Sequence, residues 1–195
     1  EGSVMKSIVT ALTLVLLSCG VGYGQEEPAA VSEHLKCFGP FLGSWQYNGP
    51  LHDNLEGMAE KGTEMVVHTS LKRILNGSAA ERNWSIEFGG GAELMGKDLN
   101  GWDAKEEKIV QGGMSSNGGI SVGSVTHDKA AKSLTISSTG IDGDGEETSR
   151  KIVFTKTGKD TYTWQAVERT GGLAEGPSPI YEFKRVKPQA KIQSK

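Results

Sequence analysis

The sequence predicts an all-β fold: a single antiparallel β-barrel of about nine to ten strands, preceded by a short helix near the N-terminus. Three observations lead to it. Glycine supplies 27 of the 195 residues with no collagen period, roughly twice the usual share, which calls for many tight turns and therefore short strands. From Phe41 onward the apolar residues recur at alternate positions, the period of a half-buried strand. Turn residues return roughly every eight to twelve positions, the spacing of a sandwich or barrel. No segment is both long and helically periodic.

A chain of 20.8 kDa suits one folded domain. Its net charge of −3 and pI near 5.9 leave no basic surplus to neutralise phosphates, so no nucleic-acid partner is expected.

The N-terminal segment reads as an address. Residues 1–24 comprise a short upstream stretch and a secretory signal peptide: Lys6 gives the positive start, and Ile8 to Cys19 form an apolar run. As a helix that run rises roughly 18 Å, short of a hydrocarbon core of about 30 Å, so no membrane span is expected. Gly22-Tyr23-Gly24 places small residues where a signal peptidase inspects them, with cleavage before Gln25. Leu16-Leu17-Ser18-Cys19 resembles a bacterial lipobox and offers the alternative of a lipid anchor at Cys19; an uncleaved anchor is a further alternative. The expected location is secreted or periplasmic, with an outer-envelope lipoprotein as the alternative. Cleavage leaves Cys37 as the lone thiol, read as a buried small hydrophobe beside Leu35 and Phe38.

Residues 25–37 form a linker and short helix, with Val31, Leu35 and Phe38 on one side of a helix over 31–38 that Gly39-Pro40 stops. The barrel domain spans 38–187. Its strands read as Phe41–Tyr47, Thr63–Leu75 ending at Asn76-Gly77, Arg82–Phe88, Leu94–Trp102, Lys108–Met114, Ile120–Thr126, Ser133–Ser138, Lys151–Lys156, Thr161–Arg169 and Ile180–Lys187. Residues 188–195 are a solvated basic tail.

Motifs for catalysis or metal binding fall short of their chemistry. Gly119-Ile120-Ser121-Val122-Gly123 has the letters of a nucleophile elbow, but that elbow needs a helix directly after the serine, and here the strand continues. Asp142-Gly143-Asp144-Gly145-Glu146-Glu147 hints at a calcium loop yet lacks glycine at the sixth position and glutamate at the twelfth, so it reads as a hairpin turn. The four histidines show no metal-ligand spacing.

Phe41-Leu42-Gly43-Ser44-Trp45 is similar to the opening strand of calycin-like barrels such as lipocalins, fatty-acid-binding proteins and nitrobindins. With Leu99-Asn100-Gly101-Trp102-Asp103, the stretch Gly112 to Gly123, Thr161-Tyr162-Thr163-Trp164-Gln165 and Phe183-Lys184-Arg185-Val186-Lys187 in order, the chain resembles the bacterial secreted family of DUF1579 type. The resemblance implies a calycin-like barrel and an exported bacterial protein, and transfers no catalytic residue. A related module follows SnoaL-like domains in some exported proteins; that partner is absent from this sequence. Through the nitrobindin-like members it also raises His68 as an inward-facing ligand to haem iron, beside the plainer reading of a strand histidine; no cofactor is assigned.

The positive indication is a set of ligand-binding candidates. Trp84 and Phe88, and likewise Tyr181 and Phe183, lie at alternate strand positions and so share a face. Arg82 or Arg169 adds a cation at the rim, with Arg169 facing the polar head of a ligand; His68 completes the set. The expected function is a non-enzymatic exported protein holding a small apolar or amphipathic molecule. The alternatives are a hydrolase- or isomerase-type enzyme using His68 or Glu87 as base, and a structural or interaction domain whose barrel is filled.

Overall fold

The structure, a computed structural model, describes residues 33–186. The expected signal segment 1–24, Cys19, the first part of the linker and the basic tail lie outside the described residues. Ten strands follow one another: β1 (Gly43–Pro50), β2 (Glu64–Ile74), β3 (Ala79–Phe88), β4 (Glu93–Asp103), β5 (Lys108–Ser115), β6 (Ile120–Asp128), β7 (Ser133–Ile141), β8 (Glu147–Gly158), β9 (Thr161–Thr170) and β10 (Tyr181–Val186). Each pairs antiparallel with its neighbour in sequence, and β1 pairs with β10, closing the barrel so that no strand edge is left to recruit another chain.

The short helix differs from its expected form. It is a 3-10 turn over Leu35–Phe41 that runs through Gly39-Pro40 instead of stopping there. A turn this short needs few N–H donors, and the fixed φ of proline suits it. Its Leu35, Phe38 and Phe41 are buried and plug one end of the barrel. Trp45 on β1 locks that plug: its Nε1 donates to the Phe41 carbonyl at 2.7 Å, and Tyr162 meets its ring edge-on at 4.9 Å. Two cations also cover the indole, Arg185 at 4.0 Å and Lys156 at 4.2 Å from the ring centroid. Arg185 in turn donates to the Leu42 carbonyl at 2.7 Å, which ties the last strand to the segment entering the first. Cys37 packs half-buried against the same cluster, and burial raises its pKa.

The inner wall is divided by side-chain size. Strands β1–β3 and β8–β10 send in most of the aromatic groups, whereas β4–β7 send in aliphatic residues (Leu94, Ile109, Val125, Leu134 and Ile136) together with glycines, serines and a few polar residues. Glycine is required at two places on the second arc. A Cβ at Gly96 would collide with the indole of Trp84, its cross-strand partner, and one at Gly113 would run into the Asp98 carboxylate. On the outside this arc is unusually apolar: Met114 stands opposite Ile120, and Ile120 opposite Ile141, all exposed.

Candidate ligand chamber

The end opposite the plug holds a chamber of about 230 Å³. Its wall is built from the inward faces of β2, β3 and β8–β10, including Val67, Trp84, Phe88, Trp164, Tyr181 and Phe183. Two connecting segments fold over it. The β1–β2 connection contributes Leu51, Asp53 and Leu55, and the β9–β10 connection contributes Leu173, Ala174 and Ser178. They are tied together by the Glu56 amide donating to the Leu173 carbonyl at 3.1 Å and by an ion pair between Arg169 Nη2 and Asp53 Oδ2 at 3.0 Å.

An annex of about 90 Å³ opens beside the chamber along the small-residue arc, lined by Asp98, Gln111, Ser115, Ser121, Ser138 and Thr148 among others. Arg82, Trp84, Ser115, Asn117, Arg150 and Ile152 line both spaces. The interior therefore holds an aromatic chamber and, beside it, a more polar space that shares these side chains. A cavity of about 150 Å³ accepts benzene, so the chamber takes a molecule of one or two rings and is too small for a tetrapyrrole.

The floor is a buried ion pair. Arg82 Nε and Nη2 both lie 2.6 Å from Asp98 Oδ2, and the guanidinium sits 5.2 Å from the Phe154 ring centroid. Tyr162 forms part of the same floor, and burial drives its phenol well above the usual range. Trp84 Nε1 is shielded from water and has no hydrogen-bond partner among the described residues, so its N–H is free to meet an acceptor.

Six of the seven sequence-chosen site residues come together at the chamber wall: Arg82, Trp84, Phe88, Arg169, Tyr181 and Phe183. His68 does not. It is exposed on the outer face of β2, because its neighbours Val67 and Thr69 take the inward positions. It therefore cannot hold haem iron inside this barrel. Glu87 is also exposed on the outer face of β3, so neither base considered for an enzyme reaches the chamber. Arg169 does face inward, and its guanidinium is engaged by Asp53 and by the Gly176 carbonyl at 2.7 Å.

The residue that sequence reading missed is Arg150. The strand was expected to begin at Lys151, whereas β8 starts at Glu147 and continues the inward set Phe154, Ile152 back to Arg150. Arg150 is directly opposite Arg169 in the ladder. Among the described residues it makes no salt bridge or side-chain hydrogen bond. Arg150 is itself exposed, at the mouth where the two spaces meet, and its pKa is lowered first by desolvation and then by Arg169.

The other two motifs are structural. Ser121 lies within strand β6. Asp142 closes the β7–β8 turn by accepting the Asp144 and Glu146 amides, each at 3.0 Å.

Fold and site together define a closed ten-stranded antiparallel barrel of calycin-like architecture, plugged at one end and hollow at the other. No protein-family model matches the chain. No curated protein matches it either.

Proposed function

We propose that this barrel binds a small amphipathic molecule, its apolar body against the aromatic wall and its polar end toward the annex. The observation that carries this reading is an aromatic chamber adjoining a more polar space, the two sharing lining side chains, behind a double-loop cover. A structural barrel gains stability by filling its interior, since empty apolar space costs packing energy; a concave chamber lined by aromatic side chains with a few polar groups has the make-up of a ligand site.

The test uses 2-naphthamide, an uncharged two-ring probe, followed by quenching of tryptophan fluorescence. Binding should be saturable and of one-to-one stoichiometry. Trp84→Ala should weaken it by about tenfold, the loss of one aromatic contact surface, while the protein keeps a cooperative melt. His68→Ala on the outer face should leave it unchanged. A Val67→Trp variant that fills the chamber and still binds the probe at full affinity would remove the chamber from the reading.

The same proposal places the protein outside the cytoplasm, as an exported member of the bacterial family of DUF1579 type. Its support is the apolar run Ile8 to Cys19, the small residues Gly22 and Gly24, and the order of motifs from Phe41 to Lys187. Intact mass of the protein isolated from its native envelope should correspond to a chain starting at Gln25. A diacylated Cys19 would make it an anchored lipoprotein instead, and a mass retaining residues 1–24 would refute cleavage.

A further inference from the structure

The pairing of β8 with β9 puts two guanidinium groups side by side. Arg150 and Arg169 are direct cross-strand partners, a position where like charges repel. Among the described residues only one is neutralised: Asp53 takes Arg169. Two other carboxylates face the annex, and both are engaged. Asp98 is held by Arg82, and Asp142 accepts two backbone amides of its own turn. Neither reaches Arg150 at ion-pair distance. An exposed arginine at the mouth of both spaces, lying against another arginine and without a counter-ion among the described residues, is a site for an anion supplied from outside.

We propose that Arg150 receives the acid group of the ligand, and that the ligand class is a one- or two-ring carboxylic acid. This deepens the chamber reading and rests on it. Arg150 and Trp84 line both spaces, so an acid group at the junction meets a guanidinium fork and the unpartnered indole N–H while its rings enter the chamber. A guanidinium matches a carboxylate with two parallel hydrogen bonds, and a charged acceptor strengthens each of them. The size of the chamber limits the body to one or two rings and excludes an extended long-chain acid. The ligand's charge would also relieve the repulsion between the two arginines, so binding should raise the melting temperature.

The experiment compares 2-naphthoic acid with 2-naphthamide, which share a ring system and differ in charge. The wild-type protein should bind the acid at least about tenfold more tightly, the value of one good charge-assisted contact. Arg150→Met should erase that difference by weakening the acid alone, and Arg150→Lys should restore part of it, because lysine keeps the charge without the fork. Lys184→Met, a charge change on the exposed outer face of β10, should do nothing. Equal binding of acid and amide by the wild type, or equal loss of both in Arg150→Met, would overturn the anion site while leaving the chamber intact. No binding of either probe would overturn both readings together. Because Arg150 sits at the mouth and not in the plugged end, the variants are expected to fold; melting curves check this directly.

Discussion

Trp45→Ala should lower the stability of the protein by about 3–5 kcal/mol, the range for truncating a fully buried aromatic residue. At 1% exposure Trp45 is the largest fully buried side chain of the barrel. It joins four pieces of chain that are distant in sequence: the 3-10 turn through Phe41, β9 through Tyr162, β8 through Lys156 and β10 through Arg185. Truncation leaves the Phe41 carbonyl without its donor and strips the aromatic face from an ammonium, Lys156, and a guanidinium, Arg185. One of them, Lys156, already has its pKa lowered by burial and by Arg185, so the ring is part of what makes its charge tolerable there. A chain of this size loses roughly 2–4 °C of melting temperature per kcal/mol, so the change is easily read in a thermal melt. A loss below about 1 kcal/mol would mean that the plug is held without the tryptophan.

Asp98→Ala should have an effect of comparable size through a different route. The pair with Arg82 is buried, with side-chain exposures of 10% and 19%. Removing the carboxylate strands the guanidinium next to Phe154 and Tyr162, and breaking a buried pair in this way costs about 3–5 kcal/mol. Replacing both partners, Arg82→Met with Asp98→Leu, removes the stranded charge as well and should recover most of the loss. The double-mutant cycle measures the coupling directly. If the double variant is no more stable than Asp98→Ala, the ion pair is not what holds the floor together. Both single variants should also disturb the chamber, since Arg82 separates it from the plugged end.

These two clusters serve different ends of one barrel. The plugged end is dense, aromatic and cation-capped; the hollow end is covered by two connections tied by Arg169–Asp53 and a single backbone hydrogen bond. Each connection is also anchored to the barrel, the first by the Leu51 and Gly62 amides and the second by Ser178 against Ala166 and Gln165, so the cover is fixed at its ends.

How far the sequence could be read depended on which physical signal each residue carries. Alternation from Arg82 to Phe88 and from Tyr181 to Phe183 placed five site residues on inward faces, because a strand's two-residue period is local and survives closure of the sheet. The turns at Asn76-Gly77 and Asp142 to Gly145 were equally legible. The inward or outward sense of a strand was less so. On β6 the apolar Ile120 and Val122 face water while Ser121 and Gly123 face the interior, the reverse of what hydrophobicity alone suggests. On β9 a bulge between the pairs Ile152–Ala166 and Lys151–Glu168 inserts one residue and turns Arg169 inward, where strict alternation from Tyr162 would have pointed it out.

By itself, then, the sequence determined an all-β barrel, most of its strands and the aromatic half of its chamber, because glycine-rich turns and two-residue alternation act over a few neighbouring positions. Only the tertiary structure decided that His68 faces solvent, that Asp53 reaches across 116 positions to occupy Arg169, and that Arg150 has no counter-ion among the described residues. Charge compensation is a property of pairs brought together by closure, and the sequence separation between partners carries no mark of it.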